Sequence, residues 1–318
     1  MLTYLSLRGL KVAEGENKWD YLSRTWQSAH KGWLFTVAAL SMDSHLLRAE
    51  RWRMLLAPLG FRAKLGNSFL SLMVGYLVNL VVPRGGEISR CYNLYKLDKI
   101  PVVESFGTVV VERIVDLFCL ILLIAISFAF ESQKLFDFIG TLPIEFSGGS
   151  KLKIFLLIGA GLFIVILIGI MLLRKSKKLK EIIHKTWNSF KAGMLSIFRL
   201  ENKSIFIFYS ALIWVLYFGM SYAVLKAFPA TDELHFSAVL SLFAIGAIAM
   251  AAPLPGGTGS YHVLVPQGLF FLYQIPLSDA VAFTFIFHGW QTLLFILMGI
   301  LSVFITSFLL KGNTSSEK

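Results

Sequence analysis

Charge is scarce in this sequence. Asp, Glu, Lys and Arg make up 15% of its 318 residues, against roughly 25% in soluble domains, which is too little to clothe a water-facing surface. Cysteine is nearly absent, and Cys91 and Cys119 form neither a disulfide framework nor a metal spacing. The signatures of common catalysts are missing as well: no HExxH, P-loop or G-x-S-x-G pattern occurs, nor any zinc-ligand spacing. The close acid pair Glu112 and Asp116 has Arg113 between its members, and no nucleophile with a neighbouring base can be named. The chain is therefore read as a non-enzyme with no cofactor and no metal. Segments of about ten alternating residues, the mark of a membrane β-barrel, are not found either.

What is present is apolar. Hydrophobic residues make up 56% of the chain, 28 of the residues are phenylalanine, and mean hydropathy is +0.69. Several runs approach the roughly 20 residues that a helix needs to cross hydrocarbon. The fold class is all-α, a polytopic helical membrane protein forming one integral membrane domain over 1–318. Spans are read near 33–47, 102–130, 151–173, 204–226 and 279–309, with 1–10 as the tail of a first span, about six in all. Residues 1–17 lack the apolar length and small-residue cleavage site of a signal peptide. A polar tail occupies 311–318.

Net charge is +11, and the excess is local. From Arg174 to Lys203 there are nine Lys or Arg against two acids. Nucleic acid is not the partner this implies, because basic residues beside apolar spans mark the cytoplasmic side and attract anionic lipid. Within 174–203, Leu179, Ile182, Ile183, Trp187, Phe190, Met194, Ile197 and Phe198 recur at helical spacing opposite a lysine face. This predicts a cytoplasmic amphipathic helix at the membrane surface.

Loop charge then constrains topology. Both 48–66, with Arg48, Arg51 and Arg53, and 84–101, with Arg84, Arg90, Lys96 and Lys99, read as cytoplasmic connections. The stretch 67–83 must then enter the membrane and return. On the far half, 227–236 has no Lys or Arg and reads as external, so 237–276 must return as well. These are two expected re-entrant hairpins, entering from opposite faces. The external tally is uneven, since 11–31 carries four basic residues against three acidic ones. Given a complete first span, both termini are placed in the cytoplasm.

The hairpins resemble each other. "SLMVGYLVNLVVPRGGE" from Ser71 and "SLFAIGAIAMAAPLPGG" from Ser241 begin Ser-Leu, reach a proline after twelve residues and end in Gly-Gly. Each precedes a short helix and a span opening on an acid, Glu104 or Asp279, with Glu112 or His288 further on. An inverted repeat with broken helices meeting near the midplane is a transporter arrangement.

The polar residues cluster at these breaks. Gly85, Gly86, Gly256 and Gly257 allow positive φ and close backbone approach, and the helices after them would aim N–H groups into a cleft. Arg84 and Arg90 add guanidinium forks suited to phosphate. The uncharged run Leu117–Phe130 is only 14 residues, so a span must include Glu112, Arg113 and Asp116 or hold them at its edge. They share a helix face, and Arg113 can pair with Asp116. They either line a polar cleft or form an interfacial cluster with Arg113 snorkelling outward. His262 is a candidate ligand contact. Asn79 is expected to bond backbone freed in its hairpin. His288 with Gln291 reads as interhelical glue, and Asp43 with His45 as helix-end polarity.

Together, "GYLVNLVVPRGGEISR", "VVERIVD" and "APLPGGTGSYH" resemble the transmembrane region of lysylphosphatidylglycerol synthetases and related flippase-like integral membrane proteins. The resemblance covers about residues 30–310. It implies a bacterial or archaeal inner-membrane protein that moves lipids between leaflets, without the soluble synthase domain that some relatives carry. On that reading Arg84 and Arg90 hold a lipid phosphate, and Glu87 orients an arginine or meets a cationic headgroup. Gly85 and Gly86 admit backbone, and Arg113 with Glu112 and Asp116 forms the opposite wall. The partners implied are membrane lipids with an anionic or polyprenyl headgroup. The alternative is a non-catalytic accessory subunit for a separately encoded synthase or glycosyltransferase, docked through 174–203. A lipid-modifying enzyme using Glu112 or His288 as acid or base is a third reading.

Overall fold

A computed structural model describes residues 17–141, 177–251 and 259–315. Among these residues the chain forms ten α-helices and no strand. The expected spans at 1–10 and 151–173, and the glycines Gly256 and Gly257, lie outside the described residues.

The order is α1 (Lys18–Ser28), α2 (Lys31–Leu56), α3 (Leu65–Asn79), α4 (Gly85–Asp98), α5 (Val102–Thr141), α6 (Lys177–Leu195), α7 (Lys203–Ala227), α8 (Phe236–Ala251), α9 (Ser260–Tyr273) and α10 (Leu277–Ser315). Local chemistry marks the boundaries. Asn17 caps α1 by accepting from the Trp19 backbone N–H at 3.1 Å. No Gly or Pro interrupts α2 between Gly32 and Pro58, so it runs through the whole stretch. Lys99 and Gln274 close α4 and α9 in the left-handed conformation, at φ 57° and 59°, and a proline precedes each following helix. Glu131 breaks the helical φ/ψ of α5.

Two helices, Lys203–Ala227 and Leu277–Gly312, are long and apolar enough to cross a membrane. At 1.5 Å per residue α7 reaches about 37 Å, beyond the ~30 Å of a hydrocarbon core. Their outer faces expose large apolar side chains, including Ile207 and Phe208 on α7 and Phe304 and Phe308 on α10. In water such a surface would drive aggregation, whereas lipid covers it at no cost.

The chain divides into two units of the same plan. The series α2, α3, α4, α5 has lengths 26, 15, 14 and 40 residues, and α7, α8, α9, α10 has 25, 16, 14 and 39. An amphipathic helix precedes each series, α1 or α6. The packing repeats too: α3 lies on α4 as α8 lies on α9, and α3 on α10 as α8 on α5. Likewise α1 lies on α10 as α6 lies on α5. The Tyr21 hydroxyl donates to Asp279 at 2.5 Å, and burial together with that bond raises the Tyr21 pKa. At the matching place Gly193 of α6 meets the backbone of Glu104.

The units are inverted. Corresponding helices α2 and α7 pack against each other along their length. His30 meets Ala227, Trp33 meets Tyr222, Arg48 meets Tyr217 and Arg51 meets Ser210. Numbers rise on one helix as they fall on the other, so the pair is antiparallel.

Three expectations are corrected here. The connection 48–66 begins as helix: α2 continues to Leu56, carrying Arg48 and Arg51 into the interior. The reversal assigned within 67–83 stands at its end, at 80–84, and the returning limb is α4. The left-handed residue at that turn is Arg84, with φ 62°, and not Gly85 or Gly86. Gly86 instead lets two helices touch, since a Cβ there would come within 2.1 Å of the Gly75 carbonyl oxygen.

Candidate functional site: a buried arginine–carboxylate cluster

Three helices bring seven charged side chains together, and a fourth adds two hydroxyls. From α5, Glu112, Arg113 and Asp116 project from adjacent positions of one face. From α2, Arg48 and Arg51 approach: Arg51 Nη2 lies 2.8 Å from Asp116 and 3.7 Å from Glu112, and Arg48 Nη2 lies 3.3 Å from Asp116. From α4, Arg90 donates to Glu112, and Glu87 sits 3.1 Å from Arg113 Nη2. Arg113 also reaches Asp116 at 3.8 Å. From α7, Tyr217 accepts from Arg48 at 2.9 Å and Ser210 from Arg51 at 3.4 Å.

The cluster is interior. Arg51 and Glu112 have side-chain exposures of 0%, whereas Arg113 keeps 37% and forms the open edge. Isolated charges so buried would each cost several kcal/mol, so their mutual pairing is a condition of folding. The Arg90 guanidinium also lies 4.6 Å above the Trp52 ring, and Trp52 is held by donating to Thr108 at 2.9 Å.

Pairing does not exhaust the cluster. Four arginines face three carboxylates, leaving one positive charge in excess. Each guanidinium carries five N–H donors. The buried Nε of Arg48, Arg51, Arg90 and Arg113, and Nη1 of Arg90, have no hydrogen-bond partner among the described residues, and neither do one oxygen each of Glu87, Glu112 and Asp116. Such a set of forked cationic donors complements a phosphate or carboxylate.

Of the residues singled out in the sequence, Glu87, Arg90, Glu112, Arg113 and Asp116 meet in this cluster. Arg84 is placed otherwise: it is exposed at the start of α4, while Arg90, six residues on, points inward. Gly85 and Gly86 serve the hairpin, Gly85 against Val82 and Gly86 against Gly75 and Asn79. Asn79 bonds freed backbone as expected, accepting from the Gly86 N–H at 2.8 Å. His262 belongs to a second buried group, with its ring 4.4 Å from Phe285 and 4.8 Å from His288. His45 is an interior residue packed on Tyr76 and Phe295.

Sequence reasoning missed Arg48 and Arg51 as site residues. A signal was available: Ser41, His45, Arg48, Trp52 and Leu55 recur at three- and four-residue spacing with no breaker among them. That is one buried helix stripe.

Residues 13–299 match the family described as the lysylphosphatidylglycerol synthase TM region. The chain is also 27% identical over 265 residues to the UPF0104 membrane protein MJ1595 of Methanocaldococcus jannaschii, covering 75% of this chain and 74% of that protein. No solved structure matches. A helical fold with membrane-crossing helices and a match over nine-tenths of the sequence place this chain in the family of the lysylphosphatidylglycerol synthase transmembrane region.

Proposed function

We propose that this protein moves a phospholipid or polyprenyl-linked lipid between leaflets, holding the headgroup phosphate in the arginine–carboxylate cluster. The observation that carries this reading is the excess positive charge of the cluster together with the Nε groups of its four arginines, which have no hydrogen-bond partner among the described residues. Arg113, half open at the edge, receives the phosphate and exchanges it with Glu87. Arg90, Arg48 and Arg51 supply the field behind it. The acyl or prenyl tails stay in lipid along the apolar outer faces, so only the polar headgroup needs protein. No bond is made or broken. The α3–α4 and α8–α9 hairpins enter from opposite faces, as inverted units do in transporters. The family is named for the membrane region of a lipid synthase, which makes a lipid the natural substrate class. The setting is the cell's inner membrane.

The test is leaflet exchange of fluorescent phospholipids in proteoliposomes, read by dithionite quenching. Quenching beyond the outer-leaflet half with wild type, lost in Arg113→Ala, is the expected result. Absence of exchange across anionic, zwitterionic and polyprenyl lipids overturns the reading.

One observation favours the accessory-subunit reading. Helix α6 docks on α5 through its C-terminal turns, yet leaves Trp187, Lys185 and Lys191 outward. A stoichiometric synthase or glycosyltransferase that co-purifies, and is lost on Lys185→Glu with Lys191→Glu, would establish it.

A further inference from the structure

The two inverted units share a residue register. Helix α9 begins 175 residues after α4 (260 against 85), and α10 begins 175 after α5 (277 against 102). The hairpin crossing confirms the register independently. In the first unit the eleventh residue of α3, Gly75, touches the second residue of α4, Gly86. In the second unit the eleventh residue of α8, Gly246, faces the second residue of α9, Tyr261, whose ring is 3.2 Å from a Cβ built there.

The same register pairs the polar residues. Glu87 and His262 are each the third residue of their helix, and Arg113 and His288 are each the twelfth. In both units these two positions are in contact. Glu87 lies 3.1 Å from Arg113, and the His262 and His288 rings lie 4.8 Å apart at near-perpendicular planes. This corrects the sequence comparison, which set His288 against Glu112. Three residues on, Asp116 is matched by Gln291. The inner ion pair Arg90–Glu112 is matched by Val265 and Phe287, which lie in one apolar cluster.

We propose that His262 and His288 form a second half-site for the lipid phosphate, reached from the face opposite the one that opens on Arg113 and Glu87. The proposal rests on the transport reading above. The twelfth residue stands about 16 Å along its helix, and inversion counts this depth from opposite faces. In a core of ~30 Å the two pairs therefore lie at similar depth near the midplane, the level at which a headgroup crossing between leaflets passes from one half to the other. Imidazole N–H groups donate to phosphate oxygens, and the Tyr261 ring packs against His288 with centroids 5.5 Å apart and planes tilted by 30°. An imidazole pair lacks the permanent charge of the arginine cluster, so it holds phosphate less tightly and suits release. In the present conformation only Arg113 is open: its side chain keeps 37% of its surface and that of Glu87 11%, while His262 and His288 are buried.

Accessibility tests the geometry without depending on transport. In a Cys91→Ser, Cys119→Ser background, Arg113→Cys, His288→Cys and, as a second probe of the same place, His262→Cys are reacted with a membrane-impermeant methanethiosulfonate. The reaction is run in right-side-out and in inside-out vesicles. Arg113→Cys is expected to label from one side, and the two histidine positions from the other. In phosphatidylethanolamine–phosphatidylglycerol proteoliposomes, His288→Phe is expected to slow exchange of fluorescent phosphatidylglycerol about tenfold, the effect of losing one hydrogen bond to a charged group. Labelling of all three from the same side, no labelling at either histidine position, or wild-type exchange by His288→Phe overturns the half-site. Absence of exchange in wild type together with opposite-side labelling would instead remove the transport reading and leave the geometry standing.

Discussion

Arg51 of α2 and Asp116 of α5 are joined at 2.8 Å, and Arg51 has no exposed side-chain surface. The bond ties the helix that packs across the inversion axis to the helix that carries the acidic half of the cluster. Its geometry leads to the first expectation.

Arg51→Ala leaves Asp116 and Glu112 short of a buried counter-charge. Removing one partner of such a pair costs about 3–5 kcal/mol. Thermal unfolding in detergent should show a clear fall in midpoint, and Arg51→Ala with Asp116→Ala should recover part of it. Equal, additive losses would mean that the pair is not coupled.

Arg113→Ala should behave differently. Its side chain is at the cluster's edge, so its own burial contributes less than that of Arg51, although its loss leaves the buried Glu87 short of its ion-pair partner. Purified Arg113→Ala is expected to lose less stability than Arg51→Ala and to lose leaflet exchange, a loss that Arg113→Ala with Glu87→Gln does not restore, whereas Arg84→Ala, exposed at the start of α4, should retain most of it. The reverse ranking in the dithionite assay would restore Arg84 as the principal phosphate ligand.

Gly86→Ala has no space, because the added carbon meets the Gly75 carbonyl oxygen at 2.1 Å and the Asn79 amide at 2.6 Å. Forcing α3 from α4 should cost about 1–3 kcal/mol. Gly66→Ala, near the start of α3 with nothing within 4 Å, should be neutral or stabilising by up to about 1 kcal/mol. Matched unfolding temperatures for the two variants would contradict the close helix crossing.

Helix α6 is held on α5 by glycines, since a Cβ on Gly107 would fall 2.4 Å from the Phe190 carbonyl oxygen and one on Gly193 would fall 2.3 Å from that of Glu104. Gly193→Leu should therefore release α6. Limited proteolysis is expected to cut within 177–195 at least about tenfold faster than in wild type, as a local opening free energy lower by about 1.4 kcal/mol requires. An unchanged cleavage rate would place α6 on the lipid surface rather than on α5.

Much of this was legible in the amino-acid order because it is local or periodic. Scarce charge and long apolar runs determine a helical membrane protein. Breakers at 80–86 determine a reversal there, i,i+3 spacing determines the Arg113–Asp116 pair, and seven residues separate Asn79 from the Gly86 N–H that it caps. Tertiary structure alone decided which charges are interior. Arg48 and Arg51 read as loop charges until α2 is seen to carry them onto Asp116, which lies 65 positions from Arg51 in the chain, while Arg84, at the 80–84 turn, faces outward. A charge's partner depends on which helix faces cross, and that is set by the close packing at Gly75, Gly86, Gly107 and Gly193 rather than by neighbours in the chain. The pairing of Glu87–Arg113 with His262–His288 has the same origin. It is a relation between two folded units, and it can be read only where both helices of each pair are already in contact.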